Sequence, residues 1–182
     1  MQISSMRATT PNEWSRQHAR VLRFLFEYGG KQAMREDYLQ LARADGPDLQ
    51  QPGNSLLLAT VRGEAGPTLI GASFVADYGR DAFLIAVHPL YRRKGIGSAL
   101  LSSQLERLGK IETRVGLNQI SLLNLCFKAG LTASSLSKEP TGRILLSLEG
   151  NAKNLVRPRG LHPKKVKYCA GSCPRYSDAL FE

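Results

Sequence analysis

The spacing of apolar and polar positions changes several times along this chain, and each change marks an expected element. Residues 2–8 alternate weakly and predict a first strand, although Ile3 and Met6 are out of phase. Thr10-Pro11-Asn12-Glu13 predicts a helix start. Thr10 can cap, Pro11 suits the first helical position, where no N–H is needed, and Glu13 can close a capping box. Trp14, His18, Val21, Leu22 and Leu25 follow at helical spacing, and Gly29-Gly30 ends the run. On that apolar face His18 reads as a core histidine with a hydrogen-bond partner. A second helix is expected over residues 32–44, before the break at Asp45-Gly46-Pro47 and a polar loop to Asn54.

Residues 55–62 and 68–78 are β-like runs joined by a Gly- and Pro-containing hairpin. Gly79-Arg80-Asp81 then turns the chain into residues 83–87, a compact apolar run expected to be a buried strand. Pro89 lacks an N–H and stops that strand near His88. Residues 98–108 carry Leu100, Leu101, Leu105 and Leu108 at helical spacing, with Gly109 as the stop. A short strand at 114–117, a helix at 120–129 and two strands at 131–136 and 144–148 complete the reading. The order is strand, two helices, three strands, helix, strand, helix, two strands.

The segment Ala82 to Leu101, AFLIAVHPLYRRKGIGSALL, carries the clearest chemistry. An apolar strand runs into a basic, glycine-containing turn that opens onto a helix. Gly95 and Gly97 bracket Ile96, so the backbone from Lys94 to Ser98 can bring N–H groups close to a ligand. At a helix start those donors and the aligned peptide dipoles favour an anion. Arg92, Arg93 and Lys94 add positive charge there, so the expected ligand is a phosphate or pyrophosphate.

Arg92-Arg93-Lys94-Gly95-Ile96-Gly97 resembles the Arg/Gln-x-x-Gly-x-Gly/Ala pattern of the GCN5-related N-acetyltransferases (GNAT), in the same setting of strand, Val87-His88-Pro89, loop and helix. The resemblance implies an α/β (α+β) fold with a mixed, mostly antiparallel central sheet and flanking helices. It implies that Arg92, Arg93, Lys94, Gly95, Ile96, Gly97 and Ser98 hold the pyrophosphate of acetyl-CoA, while the backbone at Ala86 and Val87 pairs with its pantetheine arm. The activity implied is transfer of an acetyl group to a primary amine by direct attack in a ternary complex, with no metal. The stretch GLNQISLLNLCFKAGL resembles a second family pattern through Leu125, Lys128 and Gly130. On that alignment Cys126 replaces a tyrosine that protonates the leaving thiolate. Cys126 is then either that proton donor or a small buried hydrophobe. Asn118 lies one residue farther from Gly130 than the family's asparagine, and Asn124 is an alternative polar contact. For a base, Asp77 and Tyr78 at the end of the third strand are candidates beside Glu64 and His88.

Composition bounds the rest. The chain has 182 residues and a formal charge of +10. Seven Lys or Arg after Gly150 face only Asp178 and Glu182, so this stretch supplies +5 of that charge. We therefore expect a domain at 1–150 and a basic extension at 151–182. The extension could solubilise, dock, lie on nucleic acid through Tyr168 and Tyr176, or bind metal through His162, Cys169 and Cys173. Three cysteines, no apolar run near the roughly 18–20 residues a bilayer needs, and a polar N-terminus predict a cytoplasmic protein without disulfides. Possible acceptors are an amine-bearing small molecule, a protein or an aminoacyl-tRNA, and a homodimer is possible. The other class of function is a GNAT-fold binding module, with weak catalysis and a basic tail that contacts nucleic acid or a protein.

Overall fold

A computed structural model describes residues 1–6, 10–29, 35–64 and 66–154. The order is β1 (Gln2–Ser5), α1 (Pro11–Tyr28), α2 (Arg35–Arg43), β2 (Ser55–Gly63), β3 (Gly66–Ala76), β4 (Ala82–Val87), α3 (Ile96–Leu108), β5 (Lys110–Gly116), α4 (Ile120–Lys128), β6 (Thr132–Lys138) and β7 (Ile144–Asn151). This is the order of elements expected from periodicity.

Local chemistry explains most of the boundaries. The Thr10 hydroxyl accepts the Glu13 N–H at 3.3 Å, with Pro11 in the first turn. His18 Nε2 lies 2.9 Å from the Leu41 carbonyl, and its ring stacks on Trp14. Two expectations shift. β5 begins at Lys110 and not at 114, because Ile111, Thr113 and Val115 alternate inward while Lys110, Glu112 and Arg114 alternate outward. α3 begins at Ile96 and not at 98, because Gly95, in the left-handed region with φ 77°, is its N-cap. β7 continues one residue past the expected boundary at Gly150, and a short turn at Ala152–Asn154 follows, with the Ala152 N–H on the Gly109 carbonyl at 2.8 Å. The expected metal and nucleic-acid residues of the extension lie outside the described residues.

The strands form two sheets, β1-β2-β3-β4 and β5-β7-β6, and every described pairing is antiparallel. Helices cover both faces of the first sheet. Leu84 and Phe74 point into a core shared with Val21, Leu25 and Leu41 of α1 and α2. Ile70 on the other face packs with Ile96 and Leu100 of α3. Phe83 and Val75 join Ile111 and Val115 of β5 and Leu123 and Cys126 of α4 in a core between the sheets. Burying this apolar surface drives assembly at roughly 25 cal/mol per Å2.

Candidate functional site

β4 and β5 lie in different sheets, so β4 has an edge that carries no ladder. Antiparallel pairing alternates along a strand, which decides which groups face that edge. The His88 N–H bonds the Ile70 carbonyl at 2.9 Å, which fixes Ala82, Leu84 and Ala86 as the residues whose polar groups turn toward β3. Phe83, Ile85 and Val87 therefore turn theirs outward. One contact agrees: the Val87 carbonyl accepts Arg92 Nε at 3.0 Å. Of the two residues expected to pair with a pantetheine arm, Val87 turns its N–H to the open edge, its carbonyl being taken by Arg92. Ala86 is engaged with Ala72, and Ile85 takes its place on the edge.

The basic turn stands at the C-terminal end of this edge. Arg93 is held at φ 60° and Gly95 at φ 77°, and α3 follows with Ala99 N–H on the Gly95 carbonyl at 2.9 Å. The N–H groups of Ile96, Gly97 and Ser98 precede that first intrahelical bond and have no partner in the helix. Gly97 packs close to α4. A Cβ there would lie 3.3 Å from Leu125 Cδ1, so Leu125 of α4 packs against the turn, while Asn124 is exposed and Leu125 half-buried. Asn118 folds over Gly116, its Oδ1 2.7 Å from where a Cβ would stand.

Two of the three cations are placed by contacts, and Arg93 is exposed. Arg92 donates Nε to Val87 O and Nη2 to Tyr28 O at 3.3 Å, clamping the end of α1 to the end of β4. Lys94 Nζ rides 5.1 Å above the Tyr91 ring. His88 is wedged between Tyr28 and Tyr91, and its Nδ1 accepts the Leu90 N–H at 3.3 Å.

The expected acid–base residues lie elsewhere or are poorly suited. Asp77 and Tyr78 form the turn at the opposite end of β4, about 20 Å from the basic turn at 3.3 Å per residue. Asp77 is tied to Arg80 at 3.1 Å, and the Tyr78 ring packs on Gly53 beneath Lys110 Nζ. Asp77 also lines an open cleft of about 880 Å3 over the end of β3, with Glu36, Asp48 and Asp81. Glu64 is exposed in the β2–β3 hairpin. Cys126 is fully buried among Leu101, Leu105 and Leu123, and burial pushes its thiol up to about 12. Protonating a thiolate of ordinary pKa near 8.5 from such a group runs uphill by roughly 5 kcal/mol.

One further carboxyl, that of Asp37 on α2, stands out by its environment. It is half-buried, and loss of solvent pushes its carboxyl up to about 6 against the lowering effect of the Phe83 N–H. Nothing in the sequence marks it, since Arg35-Glu36-Asp37 reads as an ordinary acidic helix start. Among the described residues no cluster of His, Cys, Asp and Glu is arranged to hold a metal ion, and no helix is long and apolar enough to cross a membrane.

No family model matches the chain, and no curated protein matches its sequence. Solved structures do. The ribosomal-protein-S18-alanine N-acetyltransferase of Escherichia coli superposes with a TM-score of 0.57 at 16% identity, over 88% of this chain and 98% of that one. A putative acetyltransferase of Acinetobacter baylyi gives a TM-score of 0.62 at 13% identity, over 87% and 96%. A variant of the spermidine N-acetyltransferase of Vibrio cholerae gives 0.54 at 13%, over 84% and 96%. Element order, the split between β4 and β5, and these likenesses agree: the chain has the fold of the GNAT acetyltransferase superfamily.

Proposed function

We propose that the protein is an acetyl-CoA-dependent N-acetyltransferase that moves an acetyl group to a primary amine by direct attack in a ternary complex. The observation that carries the reading is the meeting of two features at one end of β4. The strand's outward edge offers Ile85 and Val87, and beside it the left-handed basic turn opens α3. An extended arm of amides can pair with such an edge as an added strand would. A pyrophosphate suits the first turn of α3, where donors and helix dipole combine.

Each residue then has a task. Ile85 and Val87 orient the arm. Ile96, Gly97 and Ser98 offer backbone N–H groups, and Arg93 and Lys94 supply charge. Arg92 spends its donors on Val87 O and Tyr28 O, and so holds the turn in place. Leu125 closes the helix side of the seam against Gly97. Acetyl-CoA supplies the activated acyl group, and transfer follows from holding that carbonyl beside the acceptor nitrogen, for which positioning alone lowers barriers by several kcal/mol. Cys126 is assigned to the core. The acceptor classes stay those named from the sequence: a small amine, a protein or an aminoacyl-tRNA.

The test is calorimetric titration with acetyl-CoA, followed by thiol release in the presence of spermidine or an alanine-terminated peptide. The reading expects saturable micromolar binding that weakens in Arg93→Ala/Lys94→Ala. Absence of saturable binding to the wild-type protein would contradict it.

A further inference from the structure

The clamp that Arg92 makes at the end of β4 also covers part of the open edge. On the outward edge of a strand, each residue that turns its polar groups out offers an N–H and a carbonyl to an added chain. At Val87 the carbonyl is already taken, by Arg92 Nε at 3.0 Å. An arm amide that donates to this carbonyl meets the guanidinium in its place. Nη2 of the same group goes to the Tyr28 carbonyl at 3.3 Å, so the guanidinium bridges the end of α1 to the end of β4.

This arrangement sets a full positive charge on two neutral acceptors. Arg92 is exposed, and no ion pair among the described residues includes it. Nε and Nη2 lie on one edge of the guanidinium, and their parallel N–H groups match two oxygens of a phosphate. A phosphate carries charge on the acceptor as well, so it outcompetes the two carbonyls for this fork. The backbone needs no change for the exchange. Arg92 N–H stays on the Pro89 carbonyl at 3.2 Å, and only the side chain turns from Val87 toward the start of α3, four residues along the chain.

Resting on the acetyl-CoA reading, we propose that Arg92 selects donors by their pyrophosphate. It covers the Val87 carbonyl until a pyrophosphate at the first turn of α3 draws the guanidinium away, and the arm of the same molecule then pairs with the freed carbonyl. A thioester on a bare pantetheine arm has no such anion and must displace Arg92 with nothing to replace its contacts. The site therefore favours a coenzyme A thioester over the same acyl group on a phosphate-free arm by more than the phosphate contacts alone provide. The exchange also frees the Tyr28 carbonyl, while the Tyr28 ring keeps its contact with His88, 4.7 Å between centroids.

The test titrates full-length wild-type protein and Arg92→Ala with acetyl-CoA by calorimetry and with S-acetylpantetheine by NMR. The two ligands should respond in opposite directions. Acetyl-CoA should bind Arg92→Ala about 10- to 100-fold more weakly, and S-acetylpantetheine about 3- to 10-fold more tightly. On the wild-type protein alone, saturating inorganic pyrophosphate should tighten S-acetylpantetheine about threefold or more, since each ligand favours the same position of Arg92. Weaker binding of both ligands to Arg92→Ala would reduce Arg92 to a support of the turn and overturn the proposal. S-acetylpantetheine affinity unchanged within twofold by the substitution, or by pyrophosphate, is the mark of a plain phosphate contact and would overturn it too. Failure of the wild-type protein to bind acetyl-CoA would instead overturn the acetyltransferase reading.

Discussion

β4 begins and ends at a left-handed turn, and the two turns use the same backbone trick to opposite ends. Asp77, Tyr78 and Gly79 at the start have φ 44°, 56° and 95°; Arg93 and Gly95 at the finish have 60° and 77°. The first turn consumes its own polar groups. Asp77 N–H goes to Asn54 Oδ1 at 2.9 Å, Tyr78 N–H to Gly53 O at 2.9 Å, Arg80 N–H to Asp77 O at 3.0 Å, and the Asp77 carboxylate to the Arg80 guanidinium. The second turn runs straight into α3 and leaves the helix's first donors pointing out beside two cations. Unusual dihedrals therefore do not distinguish a structural turn from a binding one. What distinguishes them is whether the polar groups are already spent.

Substitutions at the two turns should separate stability from binding. The largest effect is expected for Gly79→Ala. The new methyl meets Glu112 O at 2.7 Å in a backbone conformation that alanine disfavours. Strain and overlap together should cost about 3 kcal/mol in urea unfolding, while folded protein keeps its affinity for acetyl-CoA. Arg93→Ala/Lys94→Ala should show the reverse: binding about 10- to 100-fold weaker with a reduced salt dependence, and stability within about 0.5 kcal/mol of the original. Equal loss of stability at both turns would break the contrast.

Asp37, on the helix packed against β4, adds a pH-dependent test of stability to the contrast between the turns. Its folded pKa, about 6, stands above the 3.8 of the free side chain. Ionising it therefore opposes folding: its stabilising contribution is whole below about pH 3.8 and is lost as pH rises through 6. Discounted for partial exposure, the cost above pH 6 is on the order of 1–2 kcal/mol. Asp37→Asn should thus match the wild-type stability near pH 3.5 and exceed it by that amount at pH 7. The smallest effect is expected for Cys126→Ala, about 1–2 kcal/mol of stability from a lost buried contact and a transfer rate within twofold.

The donor end of this site was legible because its chemistry is local. A strand, a proline that stops it, two glycines, three cations and a helix are contiguous, and each has a physical reason that sequence alone supplies. The seam was not legible in the same way. Whether Ala86 or Ile85 faces outward depends on the register of β4 against β3, and a one-residue slip exchanges them. The start of β5 was placed late because its outward residues are charged, and the alternation of Ile111, Thr113 and Val115 is short. Asp37 could not be read at all. The shift of its carboxyl comes from burial where α2 packs against β4, some 46 positions away in the chain, whereas Asp77 and Tyr78 drew notice only by standing next to a strand end. Cys126 shows the converse, a resemblance by position that burial turns into core packing.

The central claim is that the open edge of β4 and the first turn of α3 together hold acetyl-CoA. Amide hydrogen exchange, followed residue by residue with and without saturating acetyl-CoA, tests it most directly. The account predicts added protection at Ile85, Val87, Ile96, Gly97 and Ser98, with Tyr78 and Gly79 unchanged. Protection confined to other elements, or none under conditions where acetyl-CoA is in large excess, would contradict it.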